Sequence, residues 1–184
     1  VNTVWWLSKP ENPKANVSNV LAPYSERMKL LIKDPAGFFT PKERPSGHDI
    51  SNGFGKDNGG AIPSNLRQYP NTESNSIHIR LCKANGIDPH PARFPKALPE
   101  FFIKFLTDPS DTVLDVFAGS NTTGEVAESL ERHWIALECD LDYVIGSAFR
   151  FMQDWSDEDV AQFVSRCRNR KGSPINLQRQ KVLL

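Results

Sequence analysis

Residues 113–124, Val-Leu-Asp-Val-Phe-Ala-Gly-Ser-Asn-Thr-Thr-Gly, constrain the fold of this chain more than any other stretch, because an apolar run ends in a glycine turn and a helix start. Val113, Leu114 and Val116 make the short apolar run expected of a strand buried on both faces. Gly119 lets the backbone turn and approach a ligand closely. Ser120, Asn121, Thr122 and Thr123 can cap the following helix, whose inward face is expected to be Val126, Ala127 and Leu130.

What the turn lacks narrows the ligand. Gly119 and Gly124 have the spacing of a phosphate-binding loop, but Glu125 and Val126 follow where that loop needs Lys and Ser or Thr, and a carboxylate there would repel a triphosphate. The dinucleotide fingerprint also fails, since Gly119 has no partner glycine two residues on. A second strand, Trp134 to Leu137, ends in Glu138, about 20 residues past the turn, where such folds place an acid on a ribose diol. A nucleoside without phosphates fits both facts.

These residues resemble the amino-directed DNA methyltransferases of restriction-modification systems, which use S-adenosyl-L-methionine. Phe117-Ala118-Gly119-Ser120-Asn121-Thr122-Thr123-Gly124 is similar to their cofactor motif, usually Phe-x-Gly-Ser-Gly-Thr-Thr, with Asn121 in place of the middle glycine. His90-Pro91-Ala92-Arg93-Phe94-Pro95, a helix from about Leu98 to Leu106, and Asp108-Pro109-Ser110-Asp111 resemble the segment preceding that motif in the circularly permuted (beta) class. There the segment helps enclose the methionine end of the cofactor. Trp134 to Val144 resembles the acidic motif that follows. The strong match spans roughly residues 87 to 151, with a weaker one at Val4 to Lys9 and Pro13 to Ala15.

The resemblance implies an α/β, Rossmann-like S-adenosylmethionine-dependent methyltransferase fold, circularly permuted and incomplete at its N-terminus. It also implies a cofactor site of His90, Pro91, Asp115, Phe117, Gly119, Ser120, Asn121, Thr122 and Glu138. Asn121 keeps the left-handed option of the turn, since Asn tolerates that region better than most residues. A larger departure is an absence: the catalytic tetrapeptide, Ser or Asp, then Pro-Pro, then an aromatic, occurs nowhere in the 184 residues, so no catalytic residue is assigned. The family places that tetrapeptide N-terminal to the cofactor motif, and the chain opens at Val1 within what reads as a strand. A C-terminal portion of such an enzyme is the expectation.

Four segments are expected: residues 1–33 as the end of a catalytic half (strand, loop, helix), 34–85 as a target-recognition segment, 86–153 as the cofactor-binding half, and 154–184 as a C-terminal helix with a basic tail. A short helix is expected around Ser25 to Lys33. Residues 34 to 76 are rich in Gly, Pro, Asn and Ser, with turn signals at Pro45-Ser46-Gly47, Asn52-Gly53 and Asn58-Gly59-Gly60. Within them Arg44, His48, Lys56, Asn65, Arg67, Gln68 and Asn71 supply donors of the kind that read base edges and phosphates. The alternative is a long polar loop with no ligand. The family's target-recognition segment falls at this point in the order.

The net charge is zero and Cys82, Cys139 and Cys167 are an odd, scattered set, which indicates neither a disulfide framework nor a metal site. No apolar run is long enough to span a bilayer, and the cytoplasm is the expected compartment. Leu98, Phe101, Phe102, Phe105 and Leu106 recur at helical spacing and read as core. Phe117 reads as pocket wall or core, and Glu138 as ribose acceptor or helix cap. Asp140 and Asp142 read as caps of a helix from Leu141 to about Met152. Arg166, Arg168, Arg170 and Lys171 read as a solvated face.

The resemblance thus implies a site-specific DNA methyltransferase acting on double-stranded DNA, within a system that also holds a cognate restriction endonuclease. Methyl would pass directly to the exocyclic amine of a flipped base. The motif details look most like members that methylate cytosine at N4. Adenine-N6 methylation is the runner-up, and a non-catalytic remnant that binds S-adenosylmethionine or DNA is the alternative of another class.

Overall fold

The computed structural model describes residues 3–38, 55–70 and 76–169. The chain divides into two compact units, residues 1–67 and 68–184.

In the first unit, Ser25 stands before a run of helix formers, and its hydroxyl accepts the Met28 N–H at 3.2 Å, starting helix α1 (Glu26–Lys33). A short helix α2 (Pro35–Phe38) follows. Ala22 and Ala61 exchange both backbone hydrogen bonds in an isolated antiparallel bridge, at 2.9 and 2.8 Å. Next to it the Tyr24 hydroxyl donates to Asp57 Oδ1 and accepts the Asn58 N–H. The strand expected at residues 1–9 does not form among its described residues: 3 to 9 are irregular, and Trp5 and Leu7 are exposed. Apolar side chains alone do not make a strand, which needs a partner to take its backbone hydrogen bonds.

The second unit is ordered around α3 (Ile77–Ala84), α4 (Ala97–Leu106), β1 (Thr112–Asp115), α5 (Thr122–Ser129), β2 (His133–Ala136), α6 (Leu141–Ala148) with a 3-10 turn at Phe149–Phe151, and α7 (Asp157–Asn169). β1 and β2 pair in parallel, Thr112 opposite His133 through Asp115 opposite Ala136, with α5 as the crossover. Val113 and Trp134 turn one face of this ribbon onto Val126 and Ala127 of α5 and Ile103 of α4. The expected inward face of α5 is the one observed. The expectation of a strand buried on both faces is corrected: Leu114, Val116, Ile135 and Leu137 are exposed on the opposite face. Their apolar character is shared with a buried strand, which is why composition could not separate the two cases.

The same unit holds a second, larger apolar cluster. Leu81 and Cys82 of α3 pack with Ile145, Ala148 and Phe149, and these with Val160, Phe163, Val164 and Cys167 of α7. Helix α3 was not anticipated; it follows the loop-like residues 34–76 inside the segment 34–85, Ser76 caps it, and its inward face carries His78, Ile79, Leu81 and Cys82. Burial pushes the Cys82 thiol up to about 11, against the opposing pull of Arg150 and Arg93, so it stays protonated as a core side chain. In α4 the buried positions are Pro99 and Ile103, while the expected aromatics Phe101, Phe102 and Phe105 are half-buried, Phe101 meeting Phe102 edge-on and Phe105 at a tilt. No helix among the described residues is long and apolar enough to cross a membrane.

Candidate cofactor site

The site forms where the two parallel strands end. Beyond the paired strands the Leu137 N–H donates to Asp115 O and the Ala118 N–H to Leu137 O, at 2.8 and 2.9 Å, so the chain past β1 and the chain past β2 stay side by side. This sets Gly119 against Glu138. The Gly119 N–H donates to Glu138 Oε2 at 2.8 Å, while Glu138 Oε1 accepts from the N–H groups of Cys139 (2.8 Å) and Asp140 (3.1 Å). Partial desolvation raises the Glu138 carboxyl, but the backbone N–H groups of Asp140, Gly119 and Cys139 and the Cys139 thiol outweigh it and hold the acid below its ordinary value. It is a fixed carboxylate. With three N–H donors distributed over its two oxygens, Oε2 keeps one acceptor position for an external hydroxyl.

Gly119 is required twice over. Its φ is +51°, and a Cβ placed on it would stand 3.3 Å from three atoms of the His90 ring. His90 is itself held: Nδ1 lies 2.9 Å from Ala92 O, and the ring meets Tyr143 edge-on with centroids 4.6 Å apart. So the structure brings the histidine of the His-Pro segment onto the glycine turn from 29 residues away. Pro91 next to it is exposed.

Asn121 follows in the left-handed region, φ 53° and ψ 42°, and its Oδ1 accepts the Gly124 N–H at 3.0 Å as the cap of α5. A Cβ on Gly124 would collide with that same Asn121 side chain. Asn121 Nδ2 is buried and takes no hydrogen-bond acceptor among the described residues, leaving a donor beside the turn that a ligand oxygen or a water would satisfy. Ser120 and Thr122 are buried, with hydroxyls 3.3 Å apart. Asp115 is half-buried, its Oδ1 accepting the Phe117 N–H at 3.1 Å. Phe117 is 90% exposed, which removes the reading of it as core. Asp140 caps α6 by accepting from Asp142 and Tyr143, as expected.

Behind the turn stands a charged network that the sequence analysis did not single out. Arg150, on the 3-10 turn after α6, is 1% exposed and donates through Nε to the Ser120 carbonyl, through one terminal nitrogen to Ser120 Oγ at 3.2 Å, and through the other to Glu125 Oε2 at 2.7 Å. Lys96 donates to Glu125 Oε1 at 2.6 Å. Glu125, the acid that stands where a phosphate loop has its lysine, is thereby committed on both oxygens. A lone arginine inside Ala148-Phe149-Arg150-Phe151-Met152 was the available signal, since an arginine among apolar neighbours is buried only when paired.

Of the expected DNA-contacting residues, Lys56, Asn65 and Arg67 are exposed in the first unit. Arg44 lies outside the described residues, as do His48, Asn71, Arg170 and Lys171. Among the described residues no cluster of His, Cys, Asp or Glu is arranged to hold a metal ion.

The residues that meet here are a glycine turn at parallel strand ends, an imidazole beside it and a carboxylate held by backbone N–H groups. The family model described as DNA methylase matches residues 1–148, and the chain belongs to that family. It is similar to the type II methyltransferase M.PvuII of Proteus hauseri, 55% identical over 177 residues, which cover 96% of this chain and 53% of that protein. It is also similar to the type II methyltransferase M.HpaI of Haemophilus parainfluenzae, 29% identical over 125 residues, 67% of this chain and 37% of that protein. Among solved structures it resembles the PvuII DNA methyltransferase (cytosine-N4-specific), with a TM-score of 0.57 and 50% identity over 60% of this chain and 39% of that one. The methyltransferase fold is thus shared, and the chain spans about half the length or less of these curated relatives.

Proposed function

We propose that this chain is the cofactor-holding and target-recognition portion of a cytosine-N4-specific DNA methyltransferase, on a circularly permuted Rossmann-like fold, with S-adenosylmethionine as methyl donor. The observation that carries the reading is the meeting of Gly119, His90 and Glu138 at the strand ends, in a chain 55% identical to a type II methyltransferase. When bound, S-adenosylmethionine supplies a methyl already electrophilic at its sulfonium. The chain's work is therefore positioning. Glu138 Oε2 accepts from a ribose hydroxyl, the Gly119 turn gives close backbone approach, and His90, with Pro91, Asp115 and Phe117, lines the methionine end. Asn121 Nδ2, buried without an acceptor, fits a ligand with oxygens to spare.

Lys56, Asn65 and Arg67, with Arg44, are assigned in this reading to contacts with double-stranded DNA. Holding the flipped base needs the Pro-Pro-aromatic tetrapeptide, which is absent from these 184 residues and would come from further polypeptide. A cognate restriction endonuclease is the functional companion of such an enzyme. The test is transfer of labelled methyl from S-adenosylmethionine to DNA, by the chain alone and by the chain joined to a tetrapeptide-bearing methylase half, with the modified base identified by mass spectrometry. N4-methylcytosine from the joined protein only is the expected result. N6-methyladenine would move the target to adenine, and no transfer by the joined protein with S-adenosylmethionine still bound would favour a binding-only role.

A further inference from the structure

The Arg150 network has no place in the chemistry just described, yet it reaches the middle of the cofactor turn. A guanidinium 1% exposed is held only where its fork is filled, and here the fork is divided between two jobs: Ser120, by both its carbonyl and its hydroxyl, and Glu125, one turn into α5. Ser120 lies between two residues with positive φ, Gly119 and Asn121, in a turn closed by the Asn121 N–H donating to Ala118 O at 2.7 Å, and its own carbonyl is the acceptor that Arg150 takes. Arg150 fixes it from behind. Glu125 ties the same guanidinium to the helix that the turn introduces, and Lys96 closes the chain of charges from the segment before α4.

We propose that Arg150, oriented by Glu125, is a positioning residue that holds the Ser120 peptide and so presets the Gly119–Thr122 turn for its ligand. The part of this inference that concerns ligand affinity rests on the S-adenosylmethionine reading; the part that concerns the turn does not. Lysine cannot substitute, because a single ammonium is a point charge and cannot serve Ser120 and Glu125 at fixed angles together. Lys96 is half exposed at its side chain and contacts only the outer oxygen of Glu125, so its removal should matter least.

The experiment compares the full chain with Arg150→Lys, Arg150→Met, Glu125→Gln and Lys96→Ala. Two quantities are read: amide hydrogen exchange across residues 118–124 without ligand, and calorimetric affinity for S-adenosylhomocysteine. Expected are exchange in that turn faster by about tenfold or more in both Arg150 variants, a smaller acceleration in Glu125→Gln and almost none in Lys96→Ala. Affinity should fall in the same order, by about tenfold in Arg150→Lys, with retention of the folded core confirmed by protected amides in α7. A folded Arg150→Lys chain whose turn exchanges at the parent rate overturns the proposal. Should both Arg150 variants unfold, Glu125→Gln decides by the same criterion, unchanged turn exchange again overturning it. If the parent chain fails to bind S-adenosylhomocysteine while the turn loosens as expected, the clamp stands and the cofactor reading falls.

Discussion

The two units of the chain are built on opposite terms. Among the described residues of the first, Leu31 is the one buried large apolar side chain, and the segment is held by caps, a single antiparallel bridge and the Tyr24–Asp57–Asn58 contacts. The second has two apolar clusters, and its glycine turn is fastened by the half-buried Glu138 on one strand end and by the buried Arg150. The difference matches the two tasks proposed for them. A small cofactor needs a rigid, preset cradle, whereas donors that meet a polymer surface can sit on segments whose order is completed by the partner.

The contrast breaks most easily at the cores. Phe149 is fully buried between α3, α6 and α7, so Phe149→Ala should cost about 3 to 5 kcal/mol and loosen the whole second unit. Leu31→Ala should cost about 2 kcal/mol, at the low end for such truncations, because Leu31 belongs to neither apolar cluster. Urea unfolding with hydrogen exchange read separately over residues 20–35 and 140–167 checks both. Equal losses would mean that the first unit is packed as tightly as the second.

A smaller effect is expected at the exposed donors. Lys56→Ala should leave stability within about 0.5 kcal/mol, weaken duplex binding and lower the slope of log affinity against log salt by about 1. Binding titrations across a salt series measure it, and an unchanged slope would leave Lys56 out of any phosphate contact. The smallest effect concerns Glu138. Its carboxyl is held below its ordinary value in the fold, so the stability it supplies is present above the unfolded-state pKa and is lost as pH falls through the lower, folded value. The stability advantage of the parent over Glu138→Gln should therefore be constant at neutral pH and shrink only under acid conditions. A difference that persists undiminished to low pH would detach the effect from the charge.

Much of the second unit was legible in the sequence because its signals are local. Gly119, the Asn121 cap, the α5 face and the acid at the end of β2 all lie within 30 residues, and each has a short-range physical cause. His90 was reached through the family resemblance; its contact with Gly119 depends on how the intervening helix and strand fold back. Arg150 was missed because its meaning lies in partners 25 and 30 residues away. Helix α3 was missed because its cap, Ser76, continues the polar run Ser74-Asn75, which reads as loop until the inward face is known. The strand expected at residues 1–9 failed for the opposite reason: Val4, Trp5, Trp6 and Leu7 have strand-like composition, but pairing is not a property of one segment.

The reciprocal fit of Asn121 and Gly124 couples the two positions. With asparagine at 121, any side chain at 124 meets the capping amide, so the helix must keep a residue that is otherwise poor for it. A lineage with glycine at 121 faces no such collision, and alanine at 124 would there be an improvement in helix propensity. The same change is thus harmful on one background and favourable on the other. On this geometry a side chain at 124 is accommodated only when the asparagine amide is moved or replaced.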